Sequence, residues 1–124
     1  MNIALWIVTI LLALAFLAAG ASKLAQPREK LKARMPWVED FSNAQVKGIG
    51  AVEVLGAIGL ILPAITGIAP ILVPIAATGL AIAMVVAVIV HLRRGDGFAA
   101  ALPSLVLALL AAFVAWGRFG PYPL

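Results

Sequence analysis

Four polar side chains accompany long apolar runs of the chain, and they are the residues best placed to do chemistry. Glu53 lies inside the second run, six residues beyond Lys47, which is roughly 9 Å along a helix. Lys23 and His91 lie at the C-terminal ends of the first and third runs, and Ser104 lies near the beginning of the fourth. If successive runs cross the membrane in opposite directions, these three residues and Glu53 lie towards the same side. An ionisable side chain in hydrocarbon costs about 2.5–3.5 kcal/mol on insertion scales, so it needs a partner or a function. We call Lys23, Glu53, His91 and Ser104 the polar cluster.

The polar cluster supports two interpretations. In the first it is a small-ligand site, in which Lys23 or His91 donates a hydrogen bond to a ligand carbonyl and Glu53 accepts a proton or holds the cation. A proton relay from Glu53 to His91 is also physically possible. In the second, Lys23 and His91 anchor their helices at the interface with water. Glu53 then only pairs with Lys23 to hold two helices together, and Ser104 bonds its own backbone.

Catalytic motifs are missing from the sequence. It has no phosphate loop, no zinc-ligand spacing and no Ser–His–Asp arrangement, and it contains no cysteine. Without cysteine, thiolate metal sites, iron–sulfur clusters and Cys-x-x-Cys redox chemistry are excluded within the chain. We therefore expect no catalytic residue, no metal site and no cofactor held by the chain itself, except that a quinone is a possible ligand. Independent catalysis is not expected.

The composition identifies the broad class of protein. Of the 124 residues 65% are hydrophobic and 11% charged, with a mean hydropathy of +1.15. Soluble domains have about 45–50% apolar and about 25% charged residues, so a soluble domain is excluded. The net charge is +4, and the basic residues flank the apolar runs rather than forming a face that could read DNA. We therefore expect these residues to contact anionic lipid headgroups, and we expect no binding of nucleic acid.

Four apolar runs are long enough to span a bilayer, which takes about 20 helical residues. They cover residues 3–24, 43–62, 68–92 and 98–116. None alternates as barrel strands do, so the sequence predicts an all-α membrane protein: a four-transmembrane-helix bundle forming a single transmembrane domain over residues 1–124. Pro74 lies one turn inside the third run and is expected to bend that helix.

Capping residues predict where the helices begin and end. Ser42 and Gln45 have capping-box spacing, so the second helix is expected to begin there. Pro63 is expected to end it. Gly95 is predicted as the C-cap of the third helix and Asp96 as the N-cap of the fourth.

The segment between the first two runs, residues 27–41, is the longest stretch outside the spans, and we call it the interfacial segment. Apolar residues recur in it at helical spacing among basic ones, and Pro36 is expected to interrupt it. The pattern predicts a short amphipathic interfacial helix, with Trp37 and Phe41 reaching the headgroups. A solvated charged loop is the alternative.

The basic residues are distributed unequally between the two faces of the bundle. Eight of the nine lysines and arginines lie on the side of the connections between runs 1 and 2 and between runs 3 and 4, Arg93 and Arg94 among them, and Arg118 lies on the other side. The positive-inside rule places the basic side in the cytoplasm and both termini outside. We therefore expect a multi-pass protein of the bacterial cytoplasmic membrane. Trp6, Trp116 and Tyr122 are expected in an aromatic belt at the outer interface.

Four segments resemble the DoxX-like family of small four-helix bacterial membrane proteins. They are FLAAGASKL at 16–24, GIGAVEVLGAIGLILP at 48–63, HLRRGD at 91–96 and AWGRF at 115–119. The resemblance implies a four-helix fold. Some relatives are associated with quinone-linked sulfur oxidation or with oxidoreductase partners in oxidative-stress defence. The resemblance therefore implies that this chain is a membrane subunit that works near quinones or near thiol chemistry. A chain without cysteine has no thiol of its own.

Two classes of function remain open from the sequence. The first is a membrane protein that binds a small lipophilic molecule such as a quinone at the polar cluster, or that serves as the membrane subunit of an oxidoreductase partner. The second is a structural or scaffold protein without its own ligand. A small-solute carrier is a further alternative, and because 124 residues leave no room for an inverted repeat of the usual size, it requires a homo-oligomer.

Overall fold

The computed structural model describes residues 1–124 and is built from helices without strands. The helices are α1 (Asn2–Ala25), α2 (Arg28–Leu31), α3 (Asn43–Thr66), α4 (Leu72–Arg94) and α5 (Phe98–Phe119), and a 3₁₀ turn covers Pro36–Asp40. Helices α1, α3, α4 and α5 are each long and apolar enough to cross a membrane. The predicted all-α bundle of four spans with a short interfacial helix is therefore confirmed.

The four long helices form a closed ring. Helix α1 packs most extensively against α3, and α4 against α5, while contacts between α3 and α4 and between α1 and α5 join the two pairs. The centre is filled by buried side chains such as Leu12, Phe16, Leu60 and Leu80. Large aliphatic side chains cover the outside of every long helix. This inversion of the soluble pattern suits lipid, where helices associate through close packing rather than through the hydrophobic effect.

Small residues let α1 and α3 approach backbone to backbone. A methyl group added at Gly20 would lie 2.6 Å from the carbonyl oxygen of Gly50, and one added at Gly50 would lie 2.8 Å from Cβ of Lys23. Six residues further along α3, Gly56 receives the side chain of Leu80 from α4. This side of α3, which also carries Glu53, therefore faces the bundle, and the close approach brings Lys23 next to α3.

The beginning of α3 agrees with the sequence prediction, but its end does not. The capping box is formed, since Gln45 N donates to Ser42 Oγ at 3.1 Å and Ser42 N donates to Gln45 Oε1 at 2.9 Å. The expectation that Pro63 ends the helix is wrong, because α3 continues to Thr66 and ends at Gly67, which has a φ of 71°. Proline removes only one backbone donor, which a spanning helix tolerates, whereas a left-handed glycine ends the helix.

Helix α4 begins four residues later than predicted, at Leu72 rather than at residue 68. Pro74 therefore lies in the first turn and not one turn inside the helix. The first backbone N–H groups of a helix have no intrahelical acceptor, so a proline there costs little. The physical basis for the expected bend at Pro74 is thereby removed.

The connection between α4 and α5 also differs in part from the prediction. Gly95 is the left-handed C-cap of α4, with a φ of 75°, as predicted. Asp96 is not the N-cap of α5, because Gly97 occupies that position and makes no side-chain cap. The Asp96 carboxylate is engaged with α4 instead. Helix α5 runs to Phe119, three residues beyond the predicted end.

The interfacial segment folds into two short pieces, α2 and the 3₁₀ turn, rather than one continuous helix. The Arg28 guanidinium joins them by donating to the carbonyl oxygens of Phe41 at 2.9 Å, Glu39 at 3.0 Å and Val38 at 3.3 Å. Val38 is fully buried against Leu31 and a residue of α3. These contacts argue against the alternative of a solvated charged loop.

Candidate functional site

An ion pair buried between α1 and α3 forms one side of the polar cluster. Lys23 Nζ lies 2.7 Å from Glu53 Oε1, and the two residues are only 5% and 4% exposed. Glu53 Oε1 is fully enclosed, with the Lys23 ammonium as its close partner. Lys23 therefore does not reach out to water as an interfacial anchor. The close approach of the helices at Gly20 and Gly50 places this pair.

Lys47 has a role that the sequence analysis missed. Its Nζ donates to the carbonyl oxygens of Lys23 at 2.7 Å, Leu24 at 3.1 Å and Gln26 at 2.7 Å. The last carbonyls of a helix lack intrahelical partners, and Lys47 satisfies those at the end of α1. The signal was its three-residue spacing along the side of α3 that carries Gly50 and Glu53.

On the opposite side of the bundle, His91 is held by the connection between α4 and α5. Its Nδ1 lies 2.9 Å from Asp96 Oδ2, and Arg94 Nε donates to the same oxygen at 3.1 Å. The hydrogen bond with His91, supported by the hydrogen bond and charge of Arg94, lowers the pKa of Asp96 below its ordinary value. Arg94 also pairs with Asp40 of the 3₁₀ turn. The interfacial segment is thus linked to His91 through charged groups.

A cavity of about 370 Å³ lies between these two sides of the bundle. All four residues of the polar cluster border it, and 12 of its 17 lining residues are hydrophobic. Such a volume falls within the range of about 300–1,000 Å³ that is usual for small-molecule sites. The structure therefore brings Lys23, Glu53, His91 and Ser104 to one cavity. Ser104, half-buried on α5, faces this space with neighbours from α4.

Aromatic side chains of the interfacial segment form part of the cavity wall. Trp37 and Phe41 both border it, with their ring centroids 5.5 Å apart in an edge-to-face arrangement. Lys23 Nζ lies 5.8 Å from the centroid of the Trp37 ring, within range of a cation–π interaction. Arg94 is paired as described, while Arg93 is exposed and makes no ion pair.

The arrangement combines a mostly apolar space with a few polar groups on its wall. Lys23 and Ser104 carry hydrogen-bond donors, and Glu53 carries acceptors. The aromatic rings of Trp37 and Phe41 offer surfaces against which a planar group can stack. Chemically, the cavity is suited to hold a planar, partly polar headgroup whose apolar remainder lies against the helices.

Arg118 is a second buried charge, at the opposite end of the bundle, and the sequence analysis did not anticipate its burial. It is 4% exposed, and its Nη1 donates to Asn2 Oδ1 at 2.6 Å and to the Tyr122 carbonyl at 3.0 Å. Its guanidinium lies 5.7 Å from the centroid of the Trp6 ring. Arg118 therefore joins the beginning of α1 to the end of the chain, a structural role remote from the cavity.

Comparison with known proteins identifies the family. The sequence model of the DoxX-like family matches residues 7–113. The chain belongs to the DoxX-like family. The matched region of this DoxX-like protein includes the whole polar cluster, which confirms the resemblance found in the sequence. Comparison with curated proteins gave no match, and comparison with solved structures gave none either.

Proposed function

We propose that this DoxX-like membrane protein binds a small lipophilic molecule with a planar headgroup, such as a quinone, in the cavity at the polar cluster. The observation that carries the proposal is the cavity of about 370 Å³ bordered by Lys23, Glu53, His91 and Ser104. Convergence of a few polar groups on an apolar space is the usual form of a small-ligand site. A role in helix packing alone does not require such a space.

The residues at the cavity fit a quinone. Lys23 or Ser104 would donate a hydrogen bond to a ring oxygen of the ligand. The ring would lie beside Trp37, and an apolar tail would extend between the helices towards lipid. When bound, a quinone supplies a two-electron redox couple that the chain itself lacks.

Thermal unfolding of the purified protein in detergent tests the proposal. A ligand that binds only the folded state at 100 times its Kd stabilises that state by about 2.7 kcal/mol. We expect an alkylated benzoquinone to raise the midpoint of wild-type protein. Ala87 lines the cavity, so Ala87→Phe places a large ring in it and should abolish the rise in the midpoint. Ala112→Phe adds the same ring on the outside of α5 and should leave the rise unchanged. No rise with wild type, or an equal rise with both variants, would show that the cavity is not the site.

A second proposal is that the protein acts as the membrane subunit of an oxidoreductase partner. It is supported by the exposed basic side chains of Lys30 and Arg93 at the end of the bundle that holds the cavity. A partner with an acidic surface would dock there and reach the ligand over a short distance. Reversing both charges should weaken association with that partner and leave quinone binding unchanged. Weakened quinone binding would contradict a separate docking surface.

We further propose that this basic end faces the cytoplasm of a bacterium and that both termini lie outside the plasma membrane. The support is the placement of eight of the nine basic residues on one side of the spans, to which the positive-inside rule applies. The partner of that charge would be anionic lipid headgroups.

A further inference from the structure

The hydrogen bonds around Asp96 determine which nitrogen of His91 carries the proton in the neutral ring. Asp96 Oδ2 accepts a hydrogen bond from Arg94 Nε at 3.1 Å and lies 2.9 Å from His91 Nδ1. An arginine is always protonated, and an ionised carboxylate only accepts. Nδ1 must therefore be the donor in its contact with Asp96. The neutral imidazole then has a bare Nε2, which is a hydrogen-bond acceptor.

Nε2 has no partner within the chain, and His91 borders the cavity. The Glu53 carboxylate, on the facing side of the same cavity, already has the Lys23 ammonium as its partner at 2.7 Å, and its Oε1 atom is fully enclosed. Nε2 of His91 is thus the acceptor at the cavity that awaits a donor. The Ser104 hydroxyl, which also borders the cavity, can donate to a ligand oxygen.

We infer that the cavity selects headgroups that carry a hydroxyl group, as phenols and hydroquinones do, over those that carry only carbonyl or ether oxygens. A hydroxyl donates to His91 Nε2 while it accepts from Ser104. A carbonyl or an ether oxygen only accepts, so a ligand that carries it covers Nε2 without supplying a donor, and that is costly. The inference rests on the proposed function and specifies the chemical form of its ligand.

The single histidine of the chain allows the first step to be tested without any ligand. In protein labelled with ¹⁵N-histidine, both ring signals belong to His91, and their couplings to the Hδ2 and Hε1 protons distinguish Nδ1 from Nε2. At about pH 8.5, where the neutral form is the one under test, we expect a protonated Nδ1 and a bare Nε2. A proton on Nε2, alone or together with one on Nδ1, would overturn the inference whether or not any quinone binds.

Two ligand pairs test the selection itself on the full chain. One pair is para-heptylphenol and its methyl ether, and the other is an alkylated hydroquinone and the corresponding benzoquinone. At the same pH, titration calorimetry should give a Kd about tenfold lower, or more, for the hydroxyl member of each pair. Equal affinities within the pairs would overturn the inference and leave the proposed function intact. Binding of no member would overturn both.

A variant of Asp96 separates positioning of His91 from a purely structural role. In Asp96→Ala the acceptor that holds the proton on Nδ1 is removed, so that the proton is free to move to Nε2, which then becomes a donor. We expect the preference for the hydroxyl member to fall and the ¹⁵N signals to show a proton on Nε2, while the carbonyl member still binds. Glu29→Ala, a matched change on the exposed surface of α2, should keep the wild-type preference. A preference that persists unchanged in Asp96→Ala would overturn the inference.

Discussion

At the scale of single residues, Lys23 and Glu53 form a buried ion pair that links two helices. Each charge is enclosed with the other as its close partner, 2.7 Å away. In a low-dielectric environment such a pair is stable only as a pair, because a single buried charge is expensive. The pair therefore also fixes α1 against α3 at the level of the cavity.

Neutralising one member should reveal this dependence. We expect Glu53→Gln to lower the free energy of unfolding by about 3 kcal/mol, because it leaves the Lys23 ammonium buried without a counter-charge. Lys23→Met added to Glu53→Gln should restore most of the loss. Thermal unfolding in detergent gives the comparison, with Glu29→Gln, a 77% exposed side chain, as the neutral control. Additive losses in the double variant would show that the two groups are not coupled.

The inward position of Glu53 was predictable from sequence, whereas the hydrogen-bond partners of Lys47 and Arg118 were not. An acid with Gly50 and Gly56 at helical spacing points to a close helix contact, and the structure has that contact. Arg118 and Lys47 lie near helix ends, where the sequence predicts anchors that reach water. Their actual acceptors are backbone carbonyls and an asparagine contributed by distant segments. Such partners depend on the tertiary arrangement and leave no local pattern.

At the scale of helices, the approach of α1 to α3 depends on the absence of side chains at Gly20 and Gly50. The atoms that a new methyl group would meet at Gly20 include backbone atoms of α3, which cannot move aside as a flexible side chain does. The geometry of the ion pair depends on the same approach.

Two glycine substitutions compare a position in the tight contact between α1 and α3 with a position that has no neighbour. Gly20→Ala should lower the free energy of unfolding by about 1–3 kcal/mol because it forces the backbones apart. Gly48→Ala lies in α3 with nothing within 4 Å of the added methyl group, so it should be neutral or stabilising by up to about 1 kcal/mol through helix propensity. Chemical or thermal unfolding of both variants provides the measurement. Similar effects of the two would contradict the proposed close contact.

The carboxylate of Asp96, in the connection between α4 and α5, should make the stability of the protein depend on pH. The pKa of Asp96 is lowered by its hydrogen bonds with His91 and Arg94. A carboxylate with a lowered pKa in the folded state contributes stability above its unfolded pKa, about 3.9, and loses it as the pH falls through the folded value. We expect wild type to be more stable than Asp96→Asn at about pH 7 and to lose that advantage below about pH 4. A difference in midpoint that stays constant over this range would contradict the account.

Helix ends show why the sequence predicted the number of spans better than their limits. The number of spans follows from the number of long apolar runs, because a run of that length has few alternatives to a membrane-spanning helix. Pro63 and Asp96 each have a strong local preference, but α3 continues past the proline to Gly67, and Asp96 finds partners in α4. The cavity itself was predictable only as a convergence of four residues at one end. Its aromatic wall depends on how the interfacial segment folds back, which local spacing does not encode.

At the scale of the whole molecule, the bundle is polarised. One end carries the cavity, the interfacial segment and nearly all the basic residues, and the other carries Arg118 together with the termini. This polarity means that a ligand and a soluble partner would meet the protein at the same face. The orientation in the membrane is therefore part of the functional proposal.

Single cysteines can report the orientation, because the natural chain has none. We expect a thiol introduced by Lys30→Cys, in exposed α2, to resist a membrane-impermeant reagent in intact bacteria and to react after the cells are opened. Tyr122→Cys should react in intact cells, since the positive-inside rule places the less basic end outside. The reverse labelling pattern would invert the proposed topology.

The central claim is that the cavity at the polar cluster receives the headgroup of a lipophilic ligand. A crystal structure of the protein with a bromine-substituted alkylated benzoquinone tests it most directly, since anomalous scattering locates the bromine without reference to the protein atoms. The account predicts the bromine peak inside the cavity between Trp37 and Glu53, with polar contacts from the cluster. A bromine peak confined to the lipid-facing surface, with no density in the cavity, would contradict it.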